Sequence, residues 1–488
     1  GSLTDFAGND RVLGTQVDLG VFEGGKLTPV IESPAHFEIV SPGQAAYLLT
    51  WAWPGARDPD AGQLRVEYRI NDAVASYSHA LSAETVDYEL SDLGPADRIV
   101  CRLEVETSSG DSYFSPPSTF YVGRGHPLYV KPTGSGNGSS WSDASSLQGA
   151  LDAAVFGDQI WLAAGVYVPA SGSGRGKTFR VKDGIQLYGG FVGSETLLSQ
   201  RNPQQNQSIL SGGLGDPLLR TDNAYHVLTL KGTAGAPLTE ATLIDGLVIE
   251  EGYANYGVNT NGEGGGLYVE HASPTVRNTV FRNNYAEKGG AVSVRGNSTP
   301  RFGNVLFIGN EVKDHGGAFY TDASCLFYNS LWIGNNAGRM GGSIYGEPGN
   351  SSKVYNSIFR NNTSGGLGTH FRNVSVSSSF VEGESGASIQ DLDPLFLDES
   401  NHDFRLNFQS PALDAGIGVP EWLDKDFSGK SRRIGDAVDI GPYEGPSNTV
   451  YAFSPANGKV MEPEEAGVRV AWKWHEHPPE DVLDYVLI

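Results

Sequence analysis

The feature that most limits what this chain can become is a repeat of about 25 residues in its glycine-rich centre. Paired glycines recur at Gly265-Gly266, Gly289-Gly290, Gly316-Gly317, Gly341-Gly342 and Gly365-Gly366. Out of phase with them runs an aromatic-x-x-Asn pattern: Phe281 to Asn284, Phe307 to Asn310, Trp332 to Asn335, Phe359 to Asn362. The segments between, such as GLYVEHASPTVRNTVFRN, alternate apolar and polar residues over short stretches. Helical repeats of this size need long runs of 3.6-residue period, and none occur, so the pattern predicts coils of a parallel β-solenoid. Each aromatic residue points inward, and burying one such side chain contributes about 2 kcal/mol. Glycine permits positive φ where the coil turns, and stacked Asn amides can hydrogen-bond from coil to coil. These marks therefore read as structural.

A solenoid must cover its first coil. From Asp143 to Val155 the apolar residues Leu147, Ala150, Leu151, Ala154 and Val155 follow helical spacing. An amphipathic capping helix is predicted there, with Ser142 or Asp143 as N-cap and Gly157 after its last turn. The strand QIWLAAGVYV then begins the coils.

A second, longer repeat matches DFAGNDRVLGTQVDLGVFEGG from Asp5 to DFSGKSRRIGDAVDIGPYEGP from Asp426, with ten identical positions. The same register pairs Thr28 with Thr449, Ser33-Pro34 with Ser454-Pro455, and Trp51 and Trp53 with Trp472 and Trp474. The chain thus reads as a window on a tandem array. Residues 1–24 are the tail of a preceding β-helix unit, 25–124 a β-sandwich, 126–446 the β-helix and 447–488 the truncated start of a second sandwich. The short strands AYLLTWAW, QLRVEYRI, TVDYEL, RIVCRLEVET and STFYV suit an Ig-like or fibronectin type III-like module. Trp51 or Trp53 would pack between its sheets. Tyr68 resembles the tyrosine common in such modules, but Ile99 stands where many carry a corner tyrosine. The last segment holds too few strands to bury both faces and is expected to be mobile or to pair with a neighbour.

Composition narrows the partners. Fifty-seven acidic against 34 basic residues give a formal charge of -23, which repels nucleic acid and anionic membranes at long range. No apolar run is long enough to span a bilayer. The two cysteines, Cys101 and Cys325, fall in different predicted domains and read as buried thiols.

YVKPTGSGNGSSW, LQGALDAA, GDQIWLAAGVYVP, YGGFVGSET, QRNPQQNQSILSG and the closing DPLF, FRL, SPALDAG and DIGPYE resemble bacterial right-handed β-helix surface proteins with a choice-of-anchor-Q-like ending. The glycine-pair and Phe-x-x-Asn repeats are similar to those of polymorphic outer-membrane adhesins and autotransporter passengers. The resemblance covers residues 126–446. It implies an all-β chain: a right-handed, pectate-lyase-like parallel β-helix with an N-terminal helical cap, beside the sandwich, at a bacterial cell surface or outside the cell. It supplies no reaction.

Two classes of chemistry are set against that reading. A polysaccharide lyase needs a base and a cation, often Ca²⁺, to neutralise a uronate carboxylate. Arg277, Lys288, Arg295 and Arg301 are the basic candidates, and Glu250, Glu251, Glu263, Glu270 and Glu287 the oxygen ligands. A glycosidase needs two facing carboxyls, without the clustered aspartates of polygalacturonase-like enzymes here. Asp314-His315 reads as an exposed turn, Asp222-Asn223 with His226 as a hydrogen-bonded turn, and His475-Glu476-His477 as a weak metal candidate. No G-x-S-x-G, H-E-x-x-H or P-loop is present. The loop GYANYGVNTNGEGGG instead offers Tyr253, Asn255, Tyr256, Asn259, Asn261 and Glu263 for stacking and hydrogen bonding on sugars. The expected function is a non-catalytic binding or adhesive segment contacting a glycan or an extracellular protein, without nucleic acid or membrane insertion. No cofactor is expected, with Ca²⁺ the one ion that the lyase alternative would call for. A carbohydrate-active enzyme and a plain structural stalk are the alternatives.

Overall fold

The structure is a computed structural model that describes residues 29–33, 39–40, 46–53, 61–71, 73–94, 97–169, 174–216, 219–256, 261–445, 450–454 and 471–474. These fall into two compact units, one ending at His126 and including Phe156–Asp158, the other holding the remaining residues.

In the first unit Val30–Ser33, Ala46–Ala52 and Asp87–Ser91 form one sheet. Ile39–Val40, Ser118–Val122, Arg98–Thr107, Ala61–Ile70 and Ser76–Tyr77 run in that order through another. Along Arg98–Thr107 every second residue is buried, the two-residue period of a strand with one face in a core. Ile99, Cys101, Leu103 and Val105 thereby share a core with Leu49, Trp51, Leu64 and Val66. Trp51 donates its indole N–H to the Thr85 carbonyl at 2.9 Å, while Trp53 and Tyr68 pack at the core's edge. Cys101 here and Cys325 in the second unit are both free and buried. Burial pushes each thiol up to about 12.

The second unit is a parallel β-helix. A full coil contributes a strand to each of four sheets, here A to D in chain order. One coil supplies Thr275–Arg277 to A, Val280–Arg282 to B, Tyr285–Lys288 to C and Val292–Arg295 to D. Every pairing along these sheets is parallel; among the described residues A and B each have nine strands, D seven and C five. The repeat places equivalent residues directly above one another. Phe281, Phe307, Trp332 and Phe359 are successive partners on sheet B, stacked at 5.4, 4.0 and 5.6 Å. Behind them runs the asparagine ladder. Asn284 donates from Nδ2 to Oδ1 of Asn310 at 3.1 Å, Asn310 to Asn335 at 3.0 Å and Asn335 to Asn362 at 2.9 Å. Each amide also donates to a backbone carbonyl (Ile249, Phe281, Phe307, Trp332), so a polar column runs satisfied through the interior.

The glycine register differs from the pairs picked out of the sequence at both ends. The positive-φ positions are Gly264, Gly289, Gly316, Gly341 and Gly368. In the run Gly264-Gly265-Gly266 the turn uses the first glycine, and in the last coil Gly368 replaces Gly365-Gly366. Close approach enforces glycine at the second residue of the first four turns: a Cβ on Gly317 would lie 1.9 Å from the Gly342 carbonyl oxygen.

The capping helix is shorter than its periodicity predicts, Leu147–Ala153 with Ser146 as N-cap. Residues before it are held elsewhere, because Ser145 pairs with the strand Leu128–Val130, its N–H donating to the Tyr129 carbonyl at 2.9 Å. Leu147, Ala150 and Leu151 are buried as expected, whereas Val155 lies beyond the helix and is 37% exposed. Residues 1–24 and His475-Glu476-His477 lie outside the described residues. Of the last segment, Val450–Ser454 and Ala471–Trp474 pair antiparallel.

Past the last coil the chain returns along the outside of sheet B. Leu306, Leu331, Ile333, Ile358 and Phe380 point outward there, under Phe404, Leu406, Ala412, Ile440 and Tyr443. A second asparagine column, Asn278, Asn304, Asn329 and Asn356, all at positive φ, lines the corner between sheets A and B. Three of its members donate to this returning segment: Asn304 to the Lys425 carbonyl, Asn329 to Asp439 and Asn356 to Ile417, each at 2.8 Å.

Candidate functional site

On sheet C the coil turns Ala254, Ala286, Val312 and Ala337 inward, so Tyr253 and Tyr285 face outward as strand partners. Their rings stack at 4.7 Å. Tyr256, 53% exposed, lies 6.2 Å from the ring of Tyr225. Arg175 ties the group together. Its Nε donates to the Asn223 carbonyl at 2.7 Å, and its Nη2 to the Tyr253 carbonyl at 2.9 Å and to Asn255 Oδ1 at 2.8 Å. The same guanidinium lies 4.2 Å from the Tyr225 ring centroid, a cation–π contact. Arg220 approaches Tyr253 at 5.9 Å and Glu311 at 3.7 Å. Arg220 also lines an open groove of about 580 Å³ with Ser211, Asn223, Glu251, Asn283 and Glu311. Burial, then Tyr253 and the nearby acids, raises the Tyr285 phenol, which keeps it protonated as a hydrogen-bond donor.

The loop residues singled out in sequence divide between two sides of the coil. Tyr253, Asn255 and Tyr256 join the arginine–tyrosine cluster. Asn261 contributes only its backbone carbonyl there, which accepts from the Tyr256 N–H at 3.3 Å, and the residue lines a groove of about 600 Å³ over sheet D. That groove also presents Arg180, His226, Thr229, Lys231 and Tyr268. Glu263 is committed to Arg295 and to Ser293 Oγ at 3.1 Å. Asn259 lies outside the described residues. Tyr225, Tyr285, Arg175 and Arg220 were not anticipated. For Tyr285 a signal existed, the repeated Tyr-Ala of GYAN and NYAE. Arg175 reaches Tyr253 from 78 residues away, which no local pattern encodes.

His226 is buried and its Nδ1 lies 3.0 Å from the Gly264 carbonyl, so Nδ1 carries the proton and donates. Burial pushes the imidazole down to about 4, leaving Nε2 an unprotonated acceptor with no partner among the described residues. Asp222 and Asn223 form the hydrogen-bonded turn expected of them, a short 3-10 helix capped by Asn223. Asp314-His315 is not an exposed turn. It ends the strand Glu311–His315, Asp314 pairs with Arg339 at 3.3 Å and His315 stacks on Tyr345 at 4.5 Å.

The charged residues that could serve lyase chemistry are mostly engaged with oppositely charged neighbours. Arg277 pairs with Asp245 at 2.8 Å, Arg282 with Glu250 at 2.5 Å, Lys231 with Glu270 at 3.0 Å and Arg301 with Glu240 at 3.3 Å. Lys288 sits 4.9 Å over the ring of Tyr320, and Glu251 accepts from Ser211 Oγ at 2.7 Å. Among the described residues no three His, Cys, Asp or Glu side chains gather around a point that could hold a metal ion. In the same residues no helix is long and apolar enough to cross a membrane.

No family model matches this chain. No curated protein matches it either. Among solved structures it is similar to pectate lyase Pel9A, with 16% identity, a TM-score of 0.34, and coverage of 66% of this chain and 96% of that one. It is also similar to pectate lyase PelI from Erwinia chrysanthemi in complex with tetragalacturonic acid, at 9% identity and a TM-score of 0.16 over 75% of this chain and 88% of that one. A family 28 exopolygalacturonase from Yersinia enterocolitica has 10% identity and a TM-score of 0.15 over the same shares. At such scores these likenesses carry no conclusion about activity, and the fold stands on the chain's own parallel sheets.

Proposed function

We propose that this chain is a non-catalytic, glycan-binding segment of a secreted or cell-surface protein, and that Tyr253, Tyr256, Tyr225 and Tyr285 around Arg175 form its binding cluster. The observation that carries this reading is pre-organisation. Arg175 fixes the backbone of Tyr253 and the amide of Asn255 and lies over the Tyr225 ring, so aromatic rings and polar groups are held in place by the protein's own contacts. Sugar rings present apolar C–H faces and hydroxyl edges, which match aromatic surface flanked by amide, guanidinium and carboxylate groups. Against catalysis stand the ion pairs that occupy Glu250, Glu263 and Glu270. In this reading the first unit is a fibronectin type III-like spacer over residues 25–124, and the β-helix over 126–446 displays the site.

Titrating the chain with panels of neutral and acidic oligosaccharides and with matrix proteins tests this. Binding of one glycan class is expected, weakened about tenfold by Tyr256→Ala. No binding at high micromolar concentration would count against it. Release of unsaturated or reducing ends, with or without Ca²⁺, would favour the carbohydrate-active alternative instead.

A further inference from the structure

Over the first coils of sheet D lies the groove of about 600 Å³ that His226 helps to line. Its floor follows from strand register. Phe179–Arg180, Leu228–Lys231 and Leu267–Glu270 are successive strands of the sheet. Phe179, Leu228, Leu230, Leu267 and Val269 belong to the core, so the two-residue period sends Arg180, Thr229, Lys231 and Tyr268 outward. Arg180 is the strand partner of Thr229, and Thr229 that of Tyr268, which sets the three in a row across the coils. His226 flanks this row where the chain enters sheet D. On the other side the turn closed by Thr233 and Ala236, with Leu238 behind it, forms a ridge.

Later coils of the same face neutralise their own charges. Arg295 takes Glu263 and Asp322, and Tyr320 donates to Glu347. At the groove two groups stay unmatched. Arg180 is exposed and makes no ion pair or side-chain hydrogen bond among the described residues. Lys231 is a second cation close by, held at 3.0 Å by Glu270 and 5.0 Å over the Tyr268 ring. His226 is 8% exposed, its ring 5.3 Å from that of Tyr268. Its Nδ1 is spent on the Gly264 carbonyl, and Nε2 meets no donor among the described residues. A buried acceptor is normally paired, and an imidazole nitrogen without a proton is satisfied by an O–H or N–H. In a chain of formal charge -23, an unpaired arginine beside such an acceptor reverses the charge locally.

We propose that this groove binds an acidic sugar unit of a glycan chain, with its carboxylate on Arg180, a hydroxyl donating to His226 Nε2, and its C–H face against Ala236 and Leu238. A simple anion leaves the histidine unmatched, and a neutral sugar leaves the arginine so. A sugar acid carries both groups on one ring. The groove is open rather than enclosed, which admits a unit continued by further sugars. It is a site apart from the tyrosine cluster of sheet C, and neither requires the other.

Ligand-detected NMR titration of the full chain with sodium glucuronate, a glucuronate-containing tetrasaccharide, glucose and sodium acetate tests this. Glucuronate is expected to bind about tenfold more tightly than glucose or acetate, and the tetrasaccharide at least as tightly as glucuronate. Arg180→Gln should weaken glucuronate binding about tenfold and His226→Phe several-fold. Lys353→Gln, at an exposed cation on sheet A, should leave it unchanged. Arg180 is exposed, so its variant keeps the fold and carries the test where His226→Phe does not fold. Absence of glucuronate binding at millimolar concentration would overturn the assignment, as would equal binding of glucose or acetate. Exclusion of the tetrasaccharide, or glucuronate binding that Arg180→Gln leaves intact, would overturn it too.

Discussion

Sheets B and C lie on consecutive sides of the same coil, yet their outward residues have opposite characters. Sheet B presents Leu306, Leu331, Ile333 and Ile358, and the chain's own returning segment covers them. Sheet C presents Tyr253, Tyr285, Glu311 and Asn336. The inward side is apolar in both cases, so the solenoid core does not distinguish them. What differs is the second layer. A solenoid buries only one face of each strand, and an apolar outer face must find cover, whereas a polar aromatic one stands in water and is available to a partner. The contrast gives the B side a stabilising cover and, in the proposed reading, leaves the C side for recognition.

The contrast breaks most readily at a buried polar clasp in the returning segment, where Arg432 donates to the Pro442 carbonyl at 2.7 Å and to Glu444 Oε1 at 3.1 Å, with Asp426 and Asp439 beside them. Arg432→Met leaves Asp439, Glu444 and Asp426 buried without their guanidinium, and a loss of about 3–5 kcal/mol is expected. Thermal or denaturant unfolding measures it, and a loss below about 1 kcal/mol would mean that the clasp does not hold sheet B's cover. Next comes the internal ladder that both sides share. Asn335→Ala removes the acceptor of the Asn310 amide and backbone N–H, and should cost about 1–3 kcal/mol by the same measurement.

A smaller effect follows from protonation. Burial and the adjacent Asp439 raise Glu444 from 4.5 to about 8, and burial raises Asp439 to about 6. A folded value above the unfolded one contributes stability that is full below the unfolded value and is lost as pH rises through the folded one. The melting temperature is therefore expected to decline from about pH 4.5 toward pH 8. Glu444→Gln should flatten that decline, and an unchanged slope would remove the clasp as its source. On the C side the smallest effect on stability is expected. Tyr256→Ala should alter unfolding by no more than about 0.5 kcal/mol while weakening glycan binding, which separates recognition from folding.

The coils were legible in sequence because stacking forces equivalent residues into equivalent places, as with Asn284, Asn310, Asn335 and Asn362. The fine register was less so. Gly264-Gly265-Gly266 offers three glycines to a turn that takes the first at positive φ, and only packing chooses among them. Likewise Val155 continues the helical spacing but falls outside the helix, because the backbone turns extended at Ala154, while at the other end Ser145 is drawn into pairing beside Val130 and the helix starts late. For the candidate site, the local loop gave Tyr253, Asn255 and Tyr256. It also drew in Asn261 and Glu263, which the coil carries to another side. Arg175 and Tyr225 come from segments brought together only by the return of the chain along the solenoid. The clasp was visible as identity between two copies, but its burial was not, since nothing in a pattern of Asp, Arg and Glu announces an apolar neighbour.

The most direct test of the division between a covered side and a recognising side is amide hydrogen exchange of the full chain with and without a glycan that binds it. Added protection is expected at residues 220–225, 251–256 and 283–285, with the exchange of residues 426–445 unchanged. Protection centred on residues 426–445 or on the outside of sheet B, with none around Tyr253 and Tyr256, would contradict the account.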